Sequence, residues 1–424
     1  MAHPPFLGAN PAFASLGYTY NSVGNILAIL DQVNPSETRS YTYDALQRLT
    51  TGGTTANGES YDYDLVGNRT SSFLSTTHHH DDLNRLLEDD QFTYTYDNNG
   101  NLTAKTNKAN PTAVTTYHWD AQDQLIQIDR PDSTTLTYKY DGLGRRIEKN
   151  VAGTITRYVY DGADIVLEYD GSNTFVARYS HGDQVDQPLL LQKAGQGFFS
   201  YHSNHQGSIT HLTDSSGTIA NSYVYDSYGR RLAVAESVIQ PFSYTGREYD
   251  GESGLYYYRA RYFDANTGRF LSEDPIGFAG QDQNLYRYVL NNPINFNDSE
   301  GTNPAKIIEW LIKQAWKQLG KIFGKKNDPT TTDGLDNPLE RDSDGDGEPN
   351  FMDPDSPFCR VGCDNGDNDN SQDTTPSTPD SDPNPSQPDS SAPPNNLGGS
   401  CGGQNNNPFA GSPFFGAPGP LSFF

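Results

Sequence analysis

The sequence predicts an all-β chain built as a long antiparallel sheet, and three observations carry that expectation. One aromatic phrase recurs at starts 16 to 23 residues apart from Tyr18 to Tyr223. Turn residues follow most copies, and all 27 tyrosines lie at or before Tyr288. The hydrophobic share of 33% falls below the roughly 45–50% of an ordinary domain, which a sheet built on tyrosine accounts for, since the ring buries apolar area while its hydroxyl finds a partner.

The repeats occupy residues 18–240, after an N-terminal segment of residues 1–17. The phrase is clearest in Tyr41-Thr42-Tyr43-Asp44, Tyr61-Asp62-Tyr63-Asp64-Leu65-Val66-Gly67-Asn68, Tyr94-Thr95-Tyr96-Asp97, Tyr138-Lys139-Tyr140-Asp141-Gly142-Leu143-Gly144-Arg145, Tyr158-Val159-Tyr160-Asp161 and Tyr223-Val224-Tyr225-Asp226. Degenerate copies include His78-His79-His80-Asp81, Tyr117-His118-Trp119-Asp120 and Tyr179-Ser180-His181-Gly182. Aromatics at i and i+2 share one face of a strand, and aspartate followed by glycine supplies turn chemistry. A strand, turn and strand in about 20 residues reads as a hairpin.

Residues 241–302 end this region with Tyr256-Tyr257-Tyr258-Arg259-Ala260-Arg261-Tyr262-Phe263-Asp264 and Gly268-Arg269-Phe270-Leu271-Ser272-Glu273-Asp274-Pro275-Ile276-Gly277, continuing through Asn284-Leu285-Tyr286-Arg287-Tyr288-Val289 and Asn291-Asn292-Pro293. With the repeats, this block resembles the RHS/YD-repeat proteins and their repeat-associated core, over residues 18–301. That resemblance implies a sheet spiralling into a hollow shell, as in bacterial polymorphic toxins, toxin-complex cocoons and teneurins. Complete shells are longer, so the closing turns are expected here. The resemblance also implies a variable C-terminal segment enclosed by or packed on the shell, often a toxin, and a secreted or cell-surface protein that meets a surface protein or glycan.

In the toxin branch, the core ends in an aspartate-proline-x-glycine motif at which the chain cuts itself by aspartic-protease-like chemistry. The matching residues are Asp298-Ser299-Glu300-Gly301-Thr302, with Asp274 as the upstream partner and Ser299 in place of the proline. Two neighbouring carboxylates cannot both ionise cheaply, so one keeps a proton as acid while the other activates water. Any cut is expected just after residue 302. The alternative is that Asp274 and Asp298 are turn and capping residues. His202 and His205 are expected on opposite faces of a strand, as part of the repeat core rather than a metal site. The glycine-rich phosphate loops and Gly-x-Ser-x-Gly are absent.

Residues 303–326 read as one amphipathic helix opened by Asn303-Pro304. Ile308, Leu311, Ile312, Ala315, Leu319, Ile322 and Phe323 form its apolar face, and Lys306, Lys313, Lys317 and Lys321 gather opposite. The stripe is expected to pack on or inside the shell, with weak contact to an anionic membrane surface as the other reading. Residues 327–363 are acidic and contain Asp342, Asp344, Asp346, Glu348, Asn350 and Asp353. Oxygens at positions 1, 3, 5, 9 and 12, a carbonyl at 7 and Gly347 at 6 match a calcium loop, and the loop resembles those of thrombospondin type 3 repeats. Ca²⁺ is therefore the expected ion, and a calcium-dependent adhesion module a third functional reading. Cys359 and Cys363 could close a disulfide loop with Cys401 left over, and residues 364–424 have the composition of a disordered tail.

The net charge of −25 is divided. Residues 327–424 hold 17 acids against two bases, whereas residues 301–326 hold six lysines against one glutamate. This argues against nucleic acid bound through its phosphates, which needs a basic stripe. No apolar run reaches the roughly 18–20 residues of a transmembrane helix, and Met-Ala-His-Pro-Pro-Phe lacks a signal-peptide pattern.

Overall fold

In the computed structural model, the described residues are 15–280 and 282–302, and their regular structure is β apart from short 3-10 turns. The expected helix, calcium loop and tail lie outside them, as do residues 1–14. Strands follow one another as antiparallel neighbours in sheets of three, four, sixteen and four. In the sixteen-stranded sheet, from His79–His80 to Arg231–Glu236, spatial order is chain order throughout.

The phrase explains each hairpin. Its aspartate accepts amide hydrogens from residues two and four further on, as Asp141 Oδ1 does from Leu143 (2.9 Å) and Arg145 (3.0 Å). The same pair of bonds recurs at Asp44, Asp64, Asp97 and Asp226. Three residues past the aspartate the backbone is left-handed: Gly67, Gly100, Gly144 and Gly229 take positive φ there, and Gln47 and Asn84 are held at φ 64 without glycine's freedom. Just before the turn the register slips by one residue, so that Tyr96 opposes Leu102, Tyr140 opposes Arg146 and Tyr225 opposes Arg231.

The two aromatics of the phrase do different work. The first is core: Tyr41, Tyr61, Tyr94, Tyr138, Tyr158, Tyr179 and Tyr223 are all buried. The second donates to a carbonyl at the start of the previous return strand. Tyr43 reaches Ile26 (2.7 Å), Tyr63 reaches Leu49 (2.8 Å), Tyr140 reaches Leu125 (2.6 Å), Tyr160 reaches Arg146 (2.8 Å) and Tyr225 reaches Ile209 (2.7 Å). Degenerate copies keep the contact, through Trp119 Nε1 to Leu102 (2.7 Å) and His181 Nε2 at Ile165 (2.9 Å). A ring carrying a polar hydrogen is needed there, which tyrosine, tryptophan and histidine meet and phenylalanine does not. His78 is buried in the position of a first aromatic, and its proton affinity falls to about 4 through burial and then Arg69.

Residues 241–302 pack against these hairpins. Their small sheet, Glu248–Asp250, Leu255–Tyr258, Arg261–Asp264 and Arg269–Phe270, is buried almost throughout. Tyr258, Phe263, Phe270 and Tyr288 meet one another at ring separations of 4.6 to 5.9 Å. The asparagines of the terminal block tie it to distant turns. Asn284 Nδ2 donates to Asn68 Oδ1 (2.7 Å), Asn291 Nδ2 to the Gly67 carbonyl (2.8 Å) and Asn295 Nδ2 to the Tyr43 hydroxyl (3.0 Å). Arg146, fully buried, forks onto Asp250 (2.5 Å) and Glu248 (2.7 Å).

Candidate functional site

Asp274 and Asp298 are brought together although 24 residues separate them in sequence. Arg261, on the strand Arg261–Asp264, places one guanidinium nitrogen 3.0 Å from Asp274 Oδ2 and 3.6 Å from Asp298 Oδ2. Its other nitrogens donate to the carbonyls of Leu285 (2.9 Å) and Gly301. One side chain thus holds both carboxylates and the peptide just before the expected cut.

The carboxylates are unequal. Asp298 is 2% exposed, and burial pushes its proton affinity up to about 7, opposed by Arg261 and reinforced by Asp274. Asp274 is also raised by burial and lowered by Arg261, but it is the closer to the guanidinium and the less enclosed, so it ionises first. At neutral pH the arrangement is one carboxylate and one carboxylic acid. Both line a recess of about 20 Å³ with Arg287, Leu290 and Thr302, room for one water molecule.

The end of the chain is seated by contacts that leave little play. The Thr302 amide donates to Asp298 Oδ1 (3.0 Å), and the Ala260 amide to the Glu300 carbonyl (3.1 Å). Gly301 has φ +69, and a methyl group there would sit 2.0 Å from the Tyr258 carbonyl oxygen. Arg259 donates to the Ser299 carbonyl and to Asp186 Oδ1 (2.8 Å), and Asp186 also accepts from Arg247 (2.5 Å). Ser299 therefore occupies the expected proline position without displacing the segment.

The sequence reading named the two aspartates but not Arg261, Arg259 or Asp186. Arg259 and Arg261 stand in its quoted terminal block, where two arginines two apart among tyrosines were the available signal. Asp186 offered none, because it lies in a hairpin connection far from both. The histidines behave differently from expectation in one respect: His202 is on the strand Gly197–Ser203, but His205 sits in the following turn, its Nε2 3.1 Å from the Ile294 carbonyl oxygen. Opposite faces of one strand therefore do not describe them. Among the described residues, no group of three or more histidine, cysteine or acidic side chains could hold a metal ion. The calcium-loop residues Asp342, Asp344, Asp346, Glu348, Asn350 and Asp353 lie outside the described residues.

The Teneurin YD-shell family profile matches residues 10–294. The chain is 36% identical over 258 residues to the tRNA3(Ser)-specific nuclease WapA of Bacillus spizizenii, covering 57% of this chain and 11% of that one. It is 28% identical over 333 residues to double-stranded DNA deaminase toxin A of Burkholderia cenocepacia, covering 70% and 23%. A third relative, the probable deoxyribonuclease RhsB of Dickeya dadantii, is 28% identical over 303 residues, covering 61% and 20%. The aligned part is thus under a quarter of each of these relatives. Among solved structures, TcdB2-TccC3 matches at a TM-score of 0.45 and 20% identity, over 68% of this chain and 17% of that one.

Proposed function

The chain belongs to the teneurin YD-shell family, and on that premise we propose that it is the closing portion of a toxin-type shell that cuts its own chain after Thr302. The observation that carries this reading is the buried pair Asp274 and Asp298 around Arg261, with a water-sized recess between the pair and the end of the seated segment.

The chemistry follows from the asymmetry. Asp274, ionised, takes a proton from water in the recess, and the hydroxide attacks the carbonyl carbon of Thr302. Asp298 supplies the proton to the departing amide nitrogen, so the bond between residues 302 and 303 breaks into a new carboxylate and a new amine. Arg261 holds the Gly301 carbonyl and keeps the peptide from turning away during attack. The names of the relatives, nucleases and a deaminase toxin, favour the freed segment as an effector.

Mass spectrometry of the purified full chain tests the reading. Wild type should give two fragments joined at 302/303, and Asp274→Asn should give one intact mass. Intact wild type, identical to Asp274→Asn and Asp298→Asn, would reduce the pair to a structural clasp and leave a non-cutting encapsulating shell.

A second reading rests on the Asp-x-Asp-x-Asp-Gly spacing at Asp342 to Asp346: a secreted or surface-displayed protein whose C-terminal region binds Ca²⁺ and adheres to a surface protein or glycan. Among the described residues, no helix is long and apolar enough to cross a membrane.

A further inference from the structure

Three consecutive hairpin turns expose leucine where the turn needs none. Leu46 is 63% exposed, Leu65 95% and Leu83 60%, with Val66 beside Leu65 at 42%. The turns lie side by side on one rim: Arg48 donates from the first turn to the Asp64 carbonyl of the second (2.6 Å), and Asn68 from the second to Asn84 of the third (2.8 Å). Turns of adjacent hairpins are two strands apart, so the row spans roughly 20 Å. Apolar side chains aligned at that spacing form a patch that calls for a covering partner.

The position of the chain end says which partner. Thr302 lines the same small recess as Arg287. A methyl group at Gly67, in the middle turn, would lie 2.2 Å from Arg287 Nη1, so the chain leaves the described residues one side chain away from Leu65 and Val66. Ile276 and Phe278, 42% and 72% exposed, flank the mouth of that recess. The next 21 residues carry the apolar stripe from Ile308 to Phe323, and as a helix they are about 30 Å long, enough to cross all three turns.

We infer that residues 303–323 dock as an amphipathic helix along the rim formed by Leu46, Leu65, Val66 and Leu83, with its lysines in water. The inference deepens the proposed self-cleavage, since a helix docked there retains the freed segment on the shell after the bond is cut. The docking itself does not require the cut.

Photo-crosslinking on the full chain tests it, with p-benzoylphenylalanine at Leu65 and, as control, at Leu143, an equally placed leucine (80% exposed) in a distant turn. Crosslinks from position 65 should fall in residues 303–323 and exceed those from 143 about tenfold. Both sites are read in an Asp274→Asn chain as well, so failure to cut and failure to dock are separate results. Equal yields at the two sites, crosslinks only to a second copy, or a blue shift of Trp310 and Trp316 emission with anionic vesicles while the position 65 crosslink is lost, would overturn it. In a chain that does cut, Leu46→Ser/Leu65→Ser/Leu83→Ser should lose the segment beyond residue 302 on gel filtration, and Leu143→Ser should retain it.

Discussion

At Asp298 a carboxyl held near pH 7 makes the fold sensitive to pH in a stated direction. The folded chain keeps a proton that the unfolded chain releases near pH 4, so the stabilisation is full below that point and is lost as pH rises through 7. Urea unfolding between pH 4 and 8 should show wild type losing up to about 4 kcal/mol through this group, and Asp298→Asn should lack that part of the slope. Parallel slopes would refute the assignment. The rate of self-cleavage should fall over the same rise, because Asp298 then lacks the proton it donates; a rate that grows with pH would reverse the roles of the two aspartates. Arg146 makes a second residue-scale case. It neutralises the buried Asp250 and Glu248 and lies over the rings of Tyr138, Tyr158 and Tyr257. Arg146→Met should cost about 3–5 kcal/mol in chemical denaturation, because two buried charges lose their partner.

Among the elements, the second aromatic of each phrase acts as a cross-hairpin pin. Tyr140→Phe keeps the ring but leaves the Leu125 carbonyl without its hydroxyl donor, and should cost about 1–2 kcal/mol; an unchanged denaturation midpoint would show that the ring alone matters. The hairpins themselves were legible in the sequence, since period, turn chemistry and alternation all agree at copies such as Tyr138 to Arg145. The pins were not, because the acceptor is a backbone carbonyl about 15 residues back, and a carbonyl has no letter in the sequence. The site was half legible for a related reason. Asp274 and Asp298 stood in a motif, whereas Arg261 matters through four contacts made by folding, and Asp186 only because two arginines reach it from the far side of the small sheet. His205 was misplaced because Asn204-His205-Gln206-Gly207-Ser208 takes the aspartate turn pattern with asparagine in the lead.

For the whole molecule, the calcium reading gives a test that needs no cleavage. Calorimetric titration of the full chain should give saturable heat with Ca²⁺ that Asp342→Asn/Asp344→Asn abolishes; no heat at millimolar ion would end that reading. The sheet order has its own consequence at this scale. Because each strand pairs with the one just before it, a chain arriving from one end, whether from a ribosome or through a narrow passage, can zip up as it comes, with little loop entropy to overcome at any step. Asn284, Asn291 and Asn295 break that pattern by reaching back more than 200 residues to Asn68, Gly67 and Tyr43. The early hairpins are therefore laid down provisionally and are latched by the last stretch to arrive, the same stretch that carries Asp298. Assembly and the capacity to cut would then mature at one moment, and an incomplete chain would carry neither the latch nor the blade.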